Sequence, residues 1–212
     1  MDSPRRSFLA GLKTGIAGLA VGGAMKAQSK AAGAHWEPAR HDKDDWLETP
    51  GAKHRLIFDT TSPEGFGEAL LFAGNYLQVN RTDYGLQNSD SALVIVARHR
   101  STPFGYTDAM WEKYGAPMAK RSQFADPKTN QAPKVNVYAA QIADLTKLGV
   151  RIAVCSVATR RFAETVAEAL GGNVDAIDKD LAGNRVANSL MVPAGIVAVN
   201  RAQERGYSLV KA

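Results

Sequence analysis

The sequence predicts an α/β fold: a three-layer α/β/α sandwich built on a mostly parallel sheet of about five strands. Short apolar runs alternate along the chain with segments that have helical periodicity. Residues 92–97 are apolar at every position, which is typical of a strand buried on both faces. Strands of this kind, separated by helices, form a parallel sheet that helices cover on both sides.

The first half of the domain supplies two of the predicted strands. Residues 55–59 form the first, and the turn-prone residues 60–63 follow it. A helix to about Asn80 comes next, because apolar residues recur there at spacings of three and four, at Phe66, Leu70, Ala73 and Leu77. After the second strand at 92–97, we expect a short helix at 107–114. Prolines at 117, 127 and 133 then predict a long surface loop over residues 115–134.

The second half continues the alternation. A helix beginning near Tyr138 should end at Gly149, and a third strand is predicted at 150–158. Thr159 is the expected cap of the following helix, which Gly171 and Gly172 end. Residues 173–189 are polar, with short strand or turn structure expected near 174–177. Pro193 and Gly206 bracket a last helix, and residues 207–210 form a closing strand.

The first 34 residues have the layout of an export signal, with a charged start, an apolar stretch and then small residues. Residues 3–9, SPRRSFL, resemble the twin-arginine motif, which implies export of the folded protein to the periplasm by the twin-arginine translocase. Cleavage after Ala34 would make His35 the first mature residue; cleavage after Ala27 or Ala31, or an uncleaved tether, stays open. The predicted organisation is therefore a signal at 1–34, an extended arm at 35–52 packed by two tryptophans, and one α/β domain at 53–212.

Charge and cysteine content exclude several classes of function. Residues 1–34 hold five of the 26 basic residues and one of the 21 acidic ones, so the rest holds 21 basic and 20 acidic residues. A nearly neutral body argues against a nucleic-acid partner. One cysteine excludes an intrachain disulfide and a CxxC redox pair. No metal-binding or nucleotide-binding motif is complete, so we expect neither a metal nor a cofactor.

The carboxyl ends of parallel strands are where open α/β sheets bind ligands. Cys155, near the end of the third predicted strand, is the sharpest candidate, because a helix N-terminus and two arginines follow it and favour a thiolate. The opposing interpretation is a buried structural cysteine. His99 is a candidate base for Cys155. Candidate ligand-binding residues follow the first and second strands: Asp59, Arg98, Arg100 and Thr102.

Three separated segments resemble the DsrE/DsrF-like family. Residues 149–161, GVRIAVCSVATRR, are similar to its strand–cysteine–helix element, and residues 192–207 to its final helix and strand. Residues 92–114 resemble exported, twin-arginine-tagged members. The resemblance implies a DsrE-like fold that assembles as a homo- or hetero-oligomer, of which we expect a homo-oligomer here. It also implies a persulfide carried on the cysteine that matches Cys155, and a sulfur donor or acceptor protein as partner.

The leading hypothesis is therefore an exported DsrE-family protein that binds or carries sulfur on Cys155. The alternative is a non-catalytic module that binds a small ligand or a partner. In it, the cleft at Asp59, His99 and the 115–134 loop binds, and Cys155 is structural. A hydrolase or oxidoreductase whose cofactor is loaded before export is a third interpretation that the sequence leaves open.

Overall fold

The computed structural model describes residues 36–212. The predicted signal at 1–34 and its cleavage site before His35 lie outside these described residues. Residues 38–212 form one unit. Within the described part of the chain, no helix is both long enough and apolar enough to cross a membrane.

Five parallel strands form one sheet, as predicted. They are β1 (His54–Thr60), β2 (Ser91–Ala97), β3 (Arg151–Cys155), β4 (Ser189–Val192) and β5 (Ser208–Lys211). The strand order is β4-β3-β2-β1-β5, and every neighbouring pair is parallel. β2 is buried along nearly its whole length at the centre of the sheet, which is what its continuous apolar sequence requires.

Within residues 36–212, six α-helices cover the sheet. They are α1 (Pro63–Asp83), α2 (Asp108–Ser122), α3 (Ala139–Lys147), α4 (Ser156–Leu170), α5 (Val174–Gly183) and α6 (Gly195–Glu204). A 3-10 helix, His99–Gly105, joins β2 to α2. Side chains from α1 to α5 share one hydrophobic core with alternate residues of the strands, including Phe58 and Ile95. α6 packs on the other face with Ile57 and Val94, so the three layers that the sequence predicts are present.

The predicted loop at 115–134 is wrong in its first part, because α2 continues to Ser122 with Pro117 inside it. A proline within a helix removes one backbone hydrogen bond and costs about 3 kcal/mol. Burial of Met118 and Ala119, which are almost inaccessible to solvent, offsets that cost. Gly115 meets the next segment closely: a Cβ there would lie 2.4 Å from the Pro133 carbonyl oxygen.

Two boundaries and one element in the second half also differ from the sequence prediction. β3 ends at Cys155 rather than at residue 158, and Cys155 rather than Thr159 is the N-cap of α4. The segment from Val174 is a helix, α5, not strand or turn. Asn173 caps α5 by accepting a hydrogen bond from the Ala176 N–H at 3.0 Å, and Ile177 and Leu181 are buried one turn apart. The remaining strand is β4, at 189–192.

The segment predicted as an extended arm contains a short 3-10 helix, Asp42–Leu47. Leu47 is fully buried, and its carbonyl accepts a hydrogen bond from the Tyr207 hydroxyl at 2.6 Å. Trp46 is partly buried against the same core as α6, and Trp36 is exposed. Burial of Leu47, the Tyr207 hydrogen bond and partial packing of Trp46 therefore hold the segment against the domain, and Trp36 does not contribute.

The connections place a crevice at the carboxyl end of the sheet. β3 and β4 are neighbours, but α4 leaves β3 toward one face while α6 leaves β4 toward the other. Adjacent strands whose helices diverge in this way open a gap between the two helix N-termini, and ligands of open α/β sheets bind in such gaps.

Candidate functional site

A cleft of about 580 Å³ occupies this crevice. Its walls come from the residues after β2, the end of α2, the first turns of α4 and the start of α6. All the charged side chains that line it are basic: Arg98, Arg100, Arg121 and Arg161, with His99 beside them. Cys155 lines the same cleft.

Cys155 is both the last residue of β3 and the cap of α4. Its Sγ accepts a hydrogen bond from the backbone N–H of Ala158 at 3.4 Å, in the place where serine or aspartate commonly caps a helix. The residue is 6% exposed. The sulfur therefore lies where the α4 dipole is most positive.

The backbone around Cys155 is held by a chain of buried hydroxyls. The Tyr106 hydroxyl donates to Thr159 Oγ1 at 2.8 Å, and the Thr159 hydroxyl donates to the Cys155 carbonyl at 2.9 Å. Gly105 lets this segment approach β3, because a Cβ there would lie 2.6 Å from a methyl of Val154. The first turn of α4 is thus fixed from the 3-10 helix side.

The N-terminus of α6 forms the opposite wall. Its cap, Ala194, has no side chain that can accept from the first N–H groups of the helix. Gly195 brings this helix against Arg98, since a Cβ at Gly195 would lie 2.6 Å from Arg98 Cβ and 2.8 Å from its Cδ. Two helix N-termini therefore border one cleft, and both favour negative charge there.

Arg98 is the one cleft arginine with an acidic partner within the described residues. Its Nε donates to Asp59 Oδ1 at 2.6 Å and its Nη2 to Oδ2 at 2.7 Å. These hydrogen bonds raise the pKa of Arg98 above its ordinary value, although partial burial opposes them. Asp59 is buried and does not line the cleft, so it holds Arg98 rather than facing a ligand.

The other three cleft arginines form none of the ion pairs found among residues 36–212. Arg100 donates through Nη1 to the side-chain oxygen of Gln123. Arg121 donates to Thr165 Oγ1 at 3.0 Å, and its guanidinium carbon lies 5.2 Å from the centre of the Phe162 ring. These contacts hold two of the side chains without neutralising them. The cleft therefore concentrates positive charge.

The pKa of His99 reflects its position in this cleft. Burial against the cleft wall, followed by the charges of Arg100, Arg121, Arg98 and Arg161, lowers the pKa of His99 below its ordinary value of 6.5. The imidazole is therefore neutral at pH 7 and is able to accept a proton. Its backbone has φ of 56°, a left-handed conformation that histidine tolerates better than most residues.

The structure brings together four of the six residues predicted from sequence: Cys155, His99, Arg98 and Arg100. The other two were predicted to bind a ligand and do not line the cleft. Asp59 is the partner of Arg98. Thr102 is fully buried, and its hydroxyl has no hydrogen-bond partner in the described part of the protein.

The alternative interpretation placed the 115–134 segment at the cleft, but sequence reasoning did not single out Arg121 or Gln123 and did not place the start of α6 there. Arg121 and Gln123 lay in a segment predicted as loop, and their place in the cleft depends on the packing of α2 against α4. The last helix was predicted between Pro193 and Gly206, but its start was not assigned to the site, and β4 before it was not predicted. The sequence marked both Arg160 and Arg161 as neighbours of Cys155. The direction in which each points from α4 distinguishes them: Arg161 lines the cleft, whereas Arg160 pairs with Asp175 outside it.

Within residues 36–212, no three histidine, cysteine, aspartate or glutamate side chains are grouped closely enough to hold a metal ion. The chemistry available is that of one thiol, one neutral imidazole and a set of anion-binding guanidinium groups.

Comparisons with known proteins give little beyond this geometry. No family model and no curated protein matches the chain. A solved structure of a protein of unknown function from Methanobacterium thermoautotrophicum is similar, with a TM-score of 0.43 and 17% sequence identity, over 75% of this chain and 99% of that one.

Proposed function

We propose that this protein carries sulfur as a persulfide on Cys155 and that the basic cleft binds the anionic sulfur species. The observation that carries the proposal is the position of Cys155: its sulfur caps α4 at the wall of a cleft whose charged side chains are all basic. A persulfide is a reversible modification of cysteine, and basic side chains attract its anionic outer sulfur.

The surroundings suit both the loaded and the unloaded state. A persulfide places its negative charge on the outer sulfur, one bond further from α4 than Sγ. That position lies toward the cleft, where the N-terminus of α6 and Arg98 favour an anion. His99 lines the same cleft and accepts the proton that the Cys155 thiol loses before it attacks the sulfur donor.

The resemblance to the DsrE/DsrF-like family supports the same proposal, because the matching cysteine of its relay members carries a persulfide. Export by the twin-arginine pathway, a homo-oligomeric state and a sulfur donor or acceptor protein belong to the proposal as well. Each has its own test: the mature N-terminus, the mass in solution, and co-purification from the native compartment.

Sulfur loading gives a direct test, because the chain has one cysteine. The full chain is treated with inorganic polysulfide, and its intact mass is measured. A gain of one sulfur atom is expected in the native protein. Cyanide should then remove it, since Cys–S–S⁻ and CN⁻ give Cys–S⁻ and SCN⁻, and thiocyanate is measured by its iron complex.

Three variants make the test specific. Cys155→Ser retains a capping oxygen on α4 and should load no sulfur. Arg161→Gln should slow loading, whereas Arg160→Gln should not, because Arg160 pairs with Asp175 outside the cleft. A thiol that stays unmodified in the native state and reacts only after unfolding would refute the proposal.

The alternative function has one observation in its favour. Cys155 is nearly buried and caps α4, which is a structural role that needs no reactivity. The cleft would then bind an anion without chemistry at sulfur. In that case Cys155→Ser should retain full anion binding, measured by calorimetry, and native Cys155 should load no sulfur.

A further inference from the structure

The volume of the cleft indicates the size of the ligand that it binds. Its volume of about 580 Å³ lies within the range of about 300–1,000 Å³ that is usual for sites of small organic ligands. An inorganic sulfur anion would fill a small part of it. The cleft is also concave and bounded by elements on several sides, which suits a small molecule better than a flat protein surface.

The arginines indicate more than one acid group on the ligand. Arg100, Arg121 and Arg161 come from three different elements: the 3-10 helix, α2 and α4. Among the described residues, none of the three pairs with a carboxylate. A guanidinium binds a carboxylate through two parallel N–H bonds, so separate arginines suit separate acid groups.

The remaining wall is apolar. Val157 and Ile196 line the cleft, and they are 47% and 58% exposed. Phe162 also lines the cleft, and the Arg121 guanidinium packs over its ring. Exposed aliphatic side chains inside a cleft gain from contact with hydrocarbon. The ligand therefore has a carbon body as well as acid groups.

We infer that sulfur reaches Cys155 on a low-molecular-weight organic persulfide that bears two or more carboxylate groups. This inference rests on the proposed function. The Cys155 thiolate attacks the outer sulfur of R–S–S⁻. A bond forms between Cys155 Sγ and that outer sulfur, and the bond between the outer and inner sulfurs of the donor breaks. The products are Cys–S–S⁻ and R–S⁻, so charge is conserved and no external oxidant or reductant is needed.

Binding is measured first, apart from sulfur transfer. S-methylglutathione, which has two carboxylates and cannot react, is titrated by calorimetry into the full reduced chain. Its diethyl ester has the same body without the two negative charges. The diacid should bind at least about tenfold more tightly than the diester, as expected for the loss of a charge-assisted hydrogen bond.

Variants assign that preference to the cleft. Arg161→Gln and Arg100→Gln should each weaken binding of the diacid by about tenfold, and Arg160→Gln should leave it unchanged. Equal binding of the diester, or no effect of either cleft variant, would overturn the inference.

Transfer is measured second, with glutathione persulfide and its diethyl ester as donors and the intact mass as the readout. Faster loading from the diacid, lost in Arg161→Gln, supports the inference. Loading from inorganic polysulfide without binding of the diacid overturns it and retains the proposed function. Binding of the diacid without loading from any donor overturns the proposed function and the donor role, and leaves the acid-recognising cleft.

Discussion

Replacing Asp59 with asparagine tests how the cleft is held together. Asp59 accepts two hydrogen bonds from Arg98, at 2.6 and 2.7 Å, and both side chains are largely shielded from water. Asparagine has nearly the same shape, but it offers one acceptor oxygen, and its NH₂ group opposes an N–H of Arg98. At least one charge-assisted hydrogen bond is lost, and each contributes about 1.5–3 kcal/mol.

Partial hydration of Arg98 lowers that figure, since its side chain is 23% exposed. We therefore expect Asp59→Asn to reduce the free energy of unfolding by about 2 kcal/mol. With a urea dependence of about 1–3 kcal/mol per molar, the unfolding midpoint should fall by about 1 M. Urea titration followed by tryptophan fluorescence and circular dichroism measures this.

Asp144→Asn is the matched control. Asp144 pairs with Lys147 at 3.5 Å on the surface of α3, and both side chains are well exposed. Surface pairs of this kind contribute little, so the control should leave the midpoint unchanged. If Asp59→Asn behaves like the control, Asp59 does not hold Arg98.

Two further predictions concern His99 and Gly195. The pKa of His99, measured by NMR titration of its ring proton, should lie below 6.5 in the free protein and rise when an anion neutralises the arginines. The pKa of His99 is lower in the folded than in the unfolded protein. The stability that His99 contributes is therefore complete above about pH 6.5 and is lost as the pH falls through the folded pKa. A measured His99 pKa at or above 6.5 would contradict its placement among the cleft arginines. Gly195→Ala places a Cβ against Arg98 and should destabilise the fold by about 1–3 kcal/mol in urea titration. Gly183→Ala, with nothing within 4 Å of its new Cβ, should not.

Four of the five strands, β1, β2, β3 and β5, and most helices followed from local sequence because their apolar patterns are strong. The run at 92–97 is apolar throughout and forms the buried centre of the sheet. The errors arose where tertiary packing decides. Pro117 and the polar residues around it favour a loop, but burial of Met118 keeps the helix continuous. α5 has two buried apolar residues among ten, and its helix depends on packing against α4.

Part of the site could be predicted from the sequence, and the rest depends on tertiary packing. The rule that ligands bind at the carboxyl ends of parallel strands identified Arg98, His99, Arg100 and Cys155, because each lies within three residues of a strand end. Arg121 lies on a helix 24 residues after β2, and nothing in its neighbourhood in the sequence marks it. Its contact with Phe162 exists only after α2 and α4 have packed.

The charge pattern separates a ligand site from an ordinary basic surface. From residue 35 onward the chain has 21 basic and 20 acidic residues, so acidic partners are not scarce. Arg98 is paired with a buried carboxylate 39 residues away in sequence, and Arg205 lies within 4 Å of both Asp44 and Glu48. Nevertheless, the three remaining arginines of one cleft have no carboxylate partner among residues 36–212, although mutual repulsion raises the free energy of that arrangement. A helix cap or a buried cysteine does not require such a cluster, whereas an anion that binds there relieves the repulsion and stabilises the folded protein in proportion to its concentration and affinity.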